Sequence, residues 1–218
     1  MNPLVVHDVV QRSPEWHALR ATRIGGSDAE AVLAVGARGG EAVTRRDLRF
    51  KLALAGLRDG HAEPESYDNA DMRRGRDLES EALWNYELTT GRVLLSVGYV
   101  TDSDQPLLGY SPDGVVVEDG LWVGLVEVKC PRSATHHDTW ITQTEGKYTA
   151  QLTHALTVCK DLQWIDFVSY HPRFPRGRDL CRIRRTRTDL PLAAYAAALT
   201  QLQSDVADTR AALLTGAN

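Results

Sequence analysis

Two carboxylates and an ammonium group stand at a spacing that suits metal-assisted chemistry. Asp113 lies in a Ser-Pro-Asp-Gly segment, and Glu127 follows fourteen positions later in a Glu-Val-Lys-Cys-Pro segment that includes Lys129. Because side chains alternate along a strand, Glu127 and Lys129 should point to one side while Val128 packs on the other. The two carboxylates and the carbonyl of Val128 can together bind Mg²⁺, for which Mn²⁺ could substitute.

These residue types suit the hydrolysis of a phosphodiester. That reaction needs a hydroxide near neutral pH and stabilisation of the negative charge that develops around phosphorus. A divalent cation lowers the pKa of water, and Lys129 can orient the nucleophile or neutralise charge. An arginine would be a poor substitute, because its guanidinium is rigid and does not deprotonate. Since only four of the 25 basic residues are lysines, a lysine here is less expected by chance.

The same pattern also has a structural interpretation, a salt bridge on the wet face of a strand. Geometry adds a condition to the catalytic interpretation. A strict two-residue turn at 119–120 would set Asp113 opposite Val126, on the wrong face of the hairpin. The sequence therefore predicts a bulge or bend at Gly114 or Gly124.

The elements that must position these residues are helices around a strand-rich centre. Capping and periodicity predict helices that begin at Ser13-Pro14, at Ser27 (ending near Gly36) and at Thr44, and helices over about 77–90, 148–159 and 190–214. Alternation predicts strands at 93–100, 114–117, 121–129 and 164–170, with another in the arginine-rich segment 173–187. Residues 58–72 should form a loop. We expect a single domain over residues 1–218, closed by the last helix.

Composition restricts the class of protein. The chain has 218 residues, of which 43% are hydrophobic, enough to bury a sizeable core. No stretch is long and apolar enough to cross a bilayer, and the first residues lack a secretory signal pattern. We therefore expect a soluble, cytoplasmic protein with no membrane partner. Three widely spaced cysteines indicate neither a disulfide framework nor a zinc site.

Charge is unevenly distributed along the chain. The formal net charge of -4 argues against nonspecific coating of nucleic acid. Segment 173–187 nevertheless holds seven arginines against one acid, a net of +6. It is the best candidate for an electrostatic DNA-binding surface, and the alternative is an edge strand protected by charge. The His136-His137 pair lacks metal-ligand spacing and should lie at the surface.

Several motifs in one order resemble the lambda exonuclease family, also called YqaJ-type viral recombinases, of the PD-(D/E)xK nuclease superfamily. The resemblance covers about residues 11–175 and is more specific than any one motif. The matching segments are EWHALR at 15–20, RIGGS at 23–27, GRDLE at 75–79, SPDG at 111–114, EVKCP at 127–131, YTAQ at 148–151 and YHPR at 170–173.

The resemblance implies roles at the reaction centre. Asp113, Glu127 and the carbonyl of Val128 would hold Mg²⁺, and Lys129 would activate water. Glu79 would serve a second metal or its water. The implied fold is α/β, a restriction-endonuclease-like core in which a mixed central β-sheet is flanked by helices.

The resemblance also implies a site for a DNA phosphate, such as the one at a 5′ end. Arg20 and Ser27 would bind it with support from Trp16. Arg23 and Tyr148, which stand in matching segments, complete the candidate DNA-binding set. The helix predicted after Ser27 agrees independently, because a helix N-terminus offers free backbone N–H groups to an anion.

Gln151 would sit beside the reaction centre, and the chain departs from the family after it. Related nucleases often carry a tyrosine three or four positions later, where this chain has His154 and Ala155. His154 either replaces that polar contact or packs in the core. The departure bears on the positioning of DNA more than on catalysis.

From residues and resemblance together we expect a Mg²⁺-dependent exonuclease that acts on duplex DNA with a free end in phage-type recombination. The 5′ to 3′ direction, a single-strand annealing protein as partner and a ring-shaped homotrimer rest on resemblance alone. The alternatives are a structure- or site-specific endonuclease with the same core, a non-catalytic module that binds DNA ends, and, less favoured, an RNA nuclease.

Overall fold

The computed structural model describes residues 4–57, 69–175 and 177–216. In these ranges the helices are α1 (Pro14–Ala21), α2 (Ala29–Leu33), α3 (Val43–Leu57), α4 (Ala70–Thr90), α5 (Ser133–Thr142), α6 (Thr149–Val158) and α7 (Leu192–Thr215). The strands are β1 (Leu4–His7), β2 (Val93–Leu95), β3 (Tyr99–Asp102), β4 (Gln105–Tyr110), β5 (Gly114–Glu118), β6 (Leu121–Lys129), β7 (Trp164–Tyr170) and β8 (Leu180–Thr186). The expected α/β class is confirmed.

The central sheet is mixed, as expected. Its order is β2-β5-β6-β7-β8, in which β6 and β7 run parallel and the other neighbours run antiparallel. The sequence does not predict a second, three-stranded sheet of order β1-β3-β4. The single strand expected at 93–100 is instead two strands: β2 belongs to the central sheet and β3 to the second sheet. A Cβ atom at Gly98, between them, would lie 1.8 Å from the carbonyl oxygen of Val9, so this close approach requires glycine.

The hairpin between β5 and β6 has the turn that its sequence predicts. Asp119 and Gly120 both have positive φ, 51° and 77°, as a two-residue hairpin turn of the mirror-image type requires. Glu118 therefore pairs with Leu121.

A bulge shifts the hairpin register beyond this turn. Val117 pairs with Trp122 but Val116 pairs with Gly124, so Val123 is the extra residue. Gly114 consequently pairs with Val126, one position later than an uninterrupted ladder would give. The predicted bulge near Gly124 is confirmed, and it moves the residue before β5 to the level of Glu127.

Helices cover both faces of the central sheet. On one face, residues of α6 and α7 such as Leu156 and Leu202 share a core with Leu125 and Phe167 of the sheet. On the other face, Tyr86 of α4 belongs to a smaller core with residues of β6 and β7. Since Glu127 alternates with Val126, it faces the side covered by α6.

Two helix boundaries differ from their predictions. Helix α4 begins at Ala70, where the side chain of Asn69 accepts the N–H of Met72 at 2.8 Å, so the loop prediction is wrong for its last residues; residues 58–68 lie outside the described part of the chain. The helix expected from Ser27 starts with a 3₁₀ turn, and its cap is the side chain of Asp28, which accepts the N–H of Gly25 at 2.9 Å. The hydroxyl of Ser27 is thereby left for other partners.

The last helix, α7, matches the closing helix expected at about 190–214. It is rich in alanine and packs on α3 and α6 through four buried side chains, Tyr195, Leu199, Leu202 and Val206. Across the described residues, the structure has no helix whose length and apolar content would let it span a membrane.

The arginine-rich segment is mostly engaged in internal contacts. Arg184 makes a two-point contact with the buried Asp166, at 2.8 and 2.9 Å, and Arg185 donates to Glu145 at 2.8 Å. Strand β8 lies at the edge of the central sheet. Arg176 lies outside the described residues. The structure therefore favours the edge-strand interpretation over a DNA-binding surface.

Two histidines are structural. His136 is completely buried, so the expectation of a surface pair is wrong for it; its ring bonds Ser169 Oγ and the carbonyl of Arg178, both at 2.8 Å. His154 is also completely buried, between the carbonyl of Gly109 and the hydroxyl of Tyr195, both at 2.9 Å. His154 thus packs in the core.

Candidate active site

A cleft of about 810 Å³ collects nearly all residues that the sequence singles out. Its walls come from α1, the turn before α2, the first half of α4, the strand edges around β6 and the start of α6. The predicted residues in its lining are Trp16, Arg20, Ser27, Glu79, Asp113, Glu127, Val128, Lys129, Tyr148 and Gln151.

The hairpin bulge brings Asp113 and Glu127 together. Oδ2 of Asp113 accepts the backbone N–H of Val128 at 2.7 Å, which fixes this carboxylate beside β6. Glu127 is only 1% exposed. Burial and the nearby charge of Glu127 raise the pKa of Asp113 well above its usual range. Two carboxylates are thus held close together out of water, and a positive charge between them would relieve their repulsion.

Three donors converge on the carboxylate of Glu127. Its Oε1 accepts from Nζ of Lys129 at 2.6 Å and from the side-chain amide of Gln151, and its Oε2 accepts from the hydroxyl of Tyr110 at 2.8 Å. Burial and the charge of Glu127 raise the pKa of Tyr110, so this hydroxyl keeps its proton and remains a donor. The orientation of Glu127 is therefore fixed from three sides.

Lys129 is held as an ammonium. Burial alone would lower its pKa, but the carboxylates of Glu127 and Asp113 outweigh burial and raise it. Its Nζ also lies 5.4 Å from the ring centre of Tyr148, which stacks on Phe167. In this arrangement Lys129 donates to Glu127 and places a positive charge at the wall of the cleft.

Glu79 lines the cleft but belongs to a different contact. Its carboxylate pairs with Arg12 at 2.7 Å. Among the described residues, no three His, Cys, Asp or Glu side chains are arranged to hold a metal ion. The available donors are thus the carboxylates of Asp113 and Glu127 and the backbone of Val128. This set fits Mg²⁺, which proteins commonly hold through one or two carboxylates, with water and substrate phosphate as further ligands.

Arg20 is oriented at one side of the cleft. It donates to Ser27 Oγ at 3.0 Å and lies over the ring of Trp16, 4.5 Å from the ring centre. Trp16 is buried and donates from Nε1 to Ser111 Oγ at 2.6 Å. These contacts hold the guanidinium of Arg20, a planar group suited to a phosphate. Through Trp16 they connect it to Ser111, two residues before Asp113.

The turn before α2 packs directly against the reaction centre. A Cβ atom at Gly26 would lie 3.0 Å from Cγ of Gln151, and Gln151 donates to Glu127. The absence of a side chain at Gly26 therefore lets Ser27 and the carboxylates share one cleft.

Arg23 lies elsewhere. Its guanidinium donates to the carbonyl of Leu19 at 2.9 Å and to the hydroxyl of Thr22 at 3.3 Å, and it is absent from the cleft lining. Arg23 thus supports the end of α1, and the structure does not bring it together with the other predicted residues.

The cleft also includes residues that the sequence analysis does not single out. Tyr110 ends a strand that the sequence does not predict, and Arg12 precedes the first helix without a motif to mark it. Arg76 stands within the GRDLE segment, which could have identified it. The further basic residue is Lys147, next to Tyr148.

Comparisons with known proteins identify the family and the fold. The sequence model of the YqaJ-like viral recombinase domain matches residues 15–161. Two crystal structures of the alkaline exonuclease LHK-Exo from Laribacter hongkongensis, one of them in complex with dAMP, are 29% identical to the chain, with TM-scores of 0.78 and 0.80. Both alignments cover 94% of this chain and 98% of LHK-Exo.

A more distant structure, a phage-related exonuclease from Haemophilus somnus 129PT, shares the fold. It has 13% identity and a TM-score of 0.65, over 88% of this chain and 96% of its own. No curated protein matches the chain. The range matched by the recombinase domain is more than half of the chain and includes the cleft residues from Trp16 to Gln151, and the chain therefore belongs to the YqaJ-like viral recombinase family.

Proposed function

We propose that this protein is a Mg²⁺-dependent exonuclease that hydrolyses linear duplex DNA, from 5′ to 3′, in phage-type recombination. Family membership and the similarity to an alkaline exonuclease over nearly the whole chain support an exonuclease. The observation that carries the chemistry is the bulged hairpin, which places Asp113 and Glu127 side by side with Lys129 at the wall of the cleft.

Each residue of the centre has a task in this proposal. Asp113 and Glu127, with the carbonyl of Val128, would hold the cation, and Tyr110 and Gln151 keep Glu127 in orientation. When bound, Mg²⁺ supplies Lewis-acid stabilisation of the phosphate and lowers the pKa of water.

Lys129 supplies the positive charge of the protein itself. Its ammonium can donate to the attacking water or to a phosphate oxygen, where negative charge develops in the transition state. A divalent cation adds positive charge beside the two carboxylates and the ammonium. A DNA phosphate can then approach.

Arg20 and Ser27 would bind the phosphate at the DNA end. Their side chains are already joined at 3.0 Å, so the guanidinium loses little freedom when it binds. A terminal phosphate held there would set which bond reaches the carboxylates. We further propose that the protein acts in the cytoplasm of a bacterium or a phage-infected cell. Its partner would be a single-strand annealing protein, and its working assembly would be a ring-shaped trimer.

The test uses purified protein and four nucleic acids: linear duplex DNA with and without a 5′ phosphate, covalently closed circular DNA and duplex RNA. With Mg²⁺ we expect degradation of the linear DNA from the 5′ end, faster with the phosphate, and no product in chelator. Asp113→Asn should lower the rate by about 100-fold or more, while Asp138→Asn, a change at an exposed surface carboxylate, should leave it unchanged.

Each other outcome selects an alternative. Nicking of the closed circle would identify an endonuclease, and comparable cleavage of duplex RNA would identify an RNA nuclease. If folded Asp113→Asn and Lys129→Gln proteins both degrade DNA at the wild-type rate, the centre is not catalytic and a DNA-end-binding module is the better description.

A further inference from the structure

The third carboxylate of the cleft, that of Glu79, forms an ion pair with Arg12 at the rim. Nη2 of Arg12 lies 2.7 Å from Oε2 of Glu79, and the two side chains are 47% and 26% exposed. Both residues line the cleft that contains Asp113 and Glu127. Glu79 is therefore near the reaction centre, yet its charge is compensated by a residue from another part of the chain.

The backbone at Arg12 is held in an unusual conformation. Its φ is +71°, a region that glycine adopts freely and that is unfavourable for arginine. The neighbours anchor it: Gln11 donates to the carbonyls of Val97 and Pro112 at 3.1 and 2.9 Å, and Ser13 caps α1. The anchored backbone, rather than the ion pair itself, sets the position of Arg12.

Glu79 lies near the centre without completing it. It lines the same cleft as Asp113 and Glu127, but in the described part of the chain it does not form a three-carboxylate set with them. While Oε2 of Glu79 is paired with Arg12, it is not available to a cation or to the water around it.

We infer that Arg12 is an intramolecular counterion that competes with a divalent cation for Glu79. The inference rests on the proposed function, since it assumes a cation at Asp113 and Glu127. A partly exposed ion pair is weak, so a doubly charged ion can displace Arg12. Arg12 is thus a positioning residue, which keeps Glu79 oriented and neutralised until the cation arrives.

The competition can be measured without DNA, on the full chain, as the dissociation constant for Mn²⁺ from electron paramagnetic resonance of the free ion. Arg12→Gln should bind Mn²⁺ about two- to fivefold more tightly, the range expected for loss of a partly exposed pair. Arg12→Gly should show the same gain and fold at least as well, because glycine suits the positive φ. Arg46→Gln, which removes a comparable exposed pair with Asp47 on α3, should not change the constant.

The competition also predicts that the effect of Arg12 on Mn²⁺ binding depends on Glu79. In a Glu79→Gln background, Arg12→Gln should no longer tighten Mn²⁺ binding. An unchanged constant in both folded Arg12 variants, or an equal gain in the Glu79→Gln background, would overturn the inference. Failure of the proposed function shows itself separately, as DNA degradation that survives Asp113→Asn.

Discussion

Lys129 interacts electrostatically with both carboxylates of the centre, those of Glu127 and Asp113. It donates to Glu127 at 2.6 Å, and the charges of Glu127 and Asp113 keep it protonated despite its burial. A compact ammonium fits this position because it can turn toward several acceptors. The broader guanidinium of arginine carries the same charge in a rigid plane, so position and charge can be separated by substitution.

We expect Lys129→Arg to lower the rate of nucleotide release from linear duplex DNA by about 100-fold, although the net charge is unchanged. The rigid fork of arginine cannot occupy the position of Nζ between Glu127 and the cleft. The rate is measured with end-labelled DNA at saturating Mg²⁺.

The matched control is Lys160→Arg, which makes the same change in a lysine paired with Asp102 outside the cleft and should retain the wild-type rate. Wild-type activity in Lys129→Arg would show that charge alone suffices at this position.

The residues whose types suit the chemistry are predictable from the sequence. Alternation places Glu127 and Lys129 on one face, and the structure brings them together. Tyr110 and Arg12 are not predictable, because their roles depend on a strand and a backbone conformation that leave no motif. Arg23 stands three positions after Arg20, but it follows the end of α1, and its guanidinium donates to the carbonyl of Leu19 outside the cleft.

The bulged hairpin is the element on which the centre depends. A bulge is predictable from the sequence, because an uninterrupted register would separate Asp113 from Glu127, but Gly114 and Gly124 are both open as its position. A residue that is distant in sequence decides between them: the ring of Trp164, on the neighbouring strand β7, packs where a Cβ atom at Gly124 would be, 2.3 Å away. Local sequence does not contain that information.

Gly124→Ala should therefore lower the free energy of unfolding by about 1–3 kcal/mol, since the added methyl group must displace the ring of Trp164. Arg184 stacks on the same ring, 3.6 Å from its centre, which restricts that movement. Urea denaturation followed by tryptophan fluorescence measures the loss.

Gly40→Ala is the control, because a Cβ atom there would meet nothing within 4 Å. Equal midpoints for wild type and Gly124→Ala would contradict the close packing on this strand.

Across the whole molecule, buried histidines link the helices to the two sheets. A carbonyl oxygen can only accept, so Nε2 of His136 donates to Arg178 and Nε2 of His154 donates to Gly109. Their Nδ1 atoms then accept from hydroxyl groups, and both rings are neutral. Burial lowers the pKa of each, because a charged imidazolium is poorly solvated in the core.

The contribution of these two histidines to the stability of the fold should consequently fall in weakly acidic solution. Below pH 6.5, the ordinary pKa of histidine, the unfolded chain binds protons that the folded chain does not, so the free energy of unfolding decreases as pH falls. Each histidine contributes at most about 1.4 kcal/mol per pH unit. Denaturation between pH 5 and 7 measures the slope.

His136→Gln should have a shallower slope than wild type, whatever its absolute stability. The control is His137→Gln, a change at the exposed neighbour, whose slope should equal that of wild type. If the free energy of unfolding of His136→Gln changed with pH as steeply as that of wild type, folding would not suppress protonation of the buried His136 ring.

The arrangement of the whole molecule is the least predictable level. The mixed central sheet with flanking helices is what the family resemblance implies, and the order of strand and helix patterns agrees with it. The separate three-stranded sheet does not, since it requires a close approach of Val9 to Gly98 that pairs distant segments. From the sequence, the arginines of β8 are likewise a candidate DNA-binding surface. In the structure, Arg184 and Arg185 pair with Asp166 and Glu145, which the local sequence does not reveal.

The register that the bulge at Val123 sets has a consequence for how this gene tolerates change. Removing one codon between Gly124 and Glu127 would retain every acidic and basic side chain discussed above, but Asp113 would then lie opposite Val128 instead of Glu127, and the two carboxylates would face opposite sides of the hairpin. Length variation in this part of the hairpin should thus be excluded more strictly than replacement of most of its amino acids.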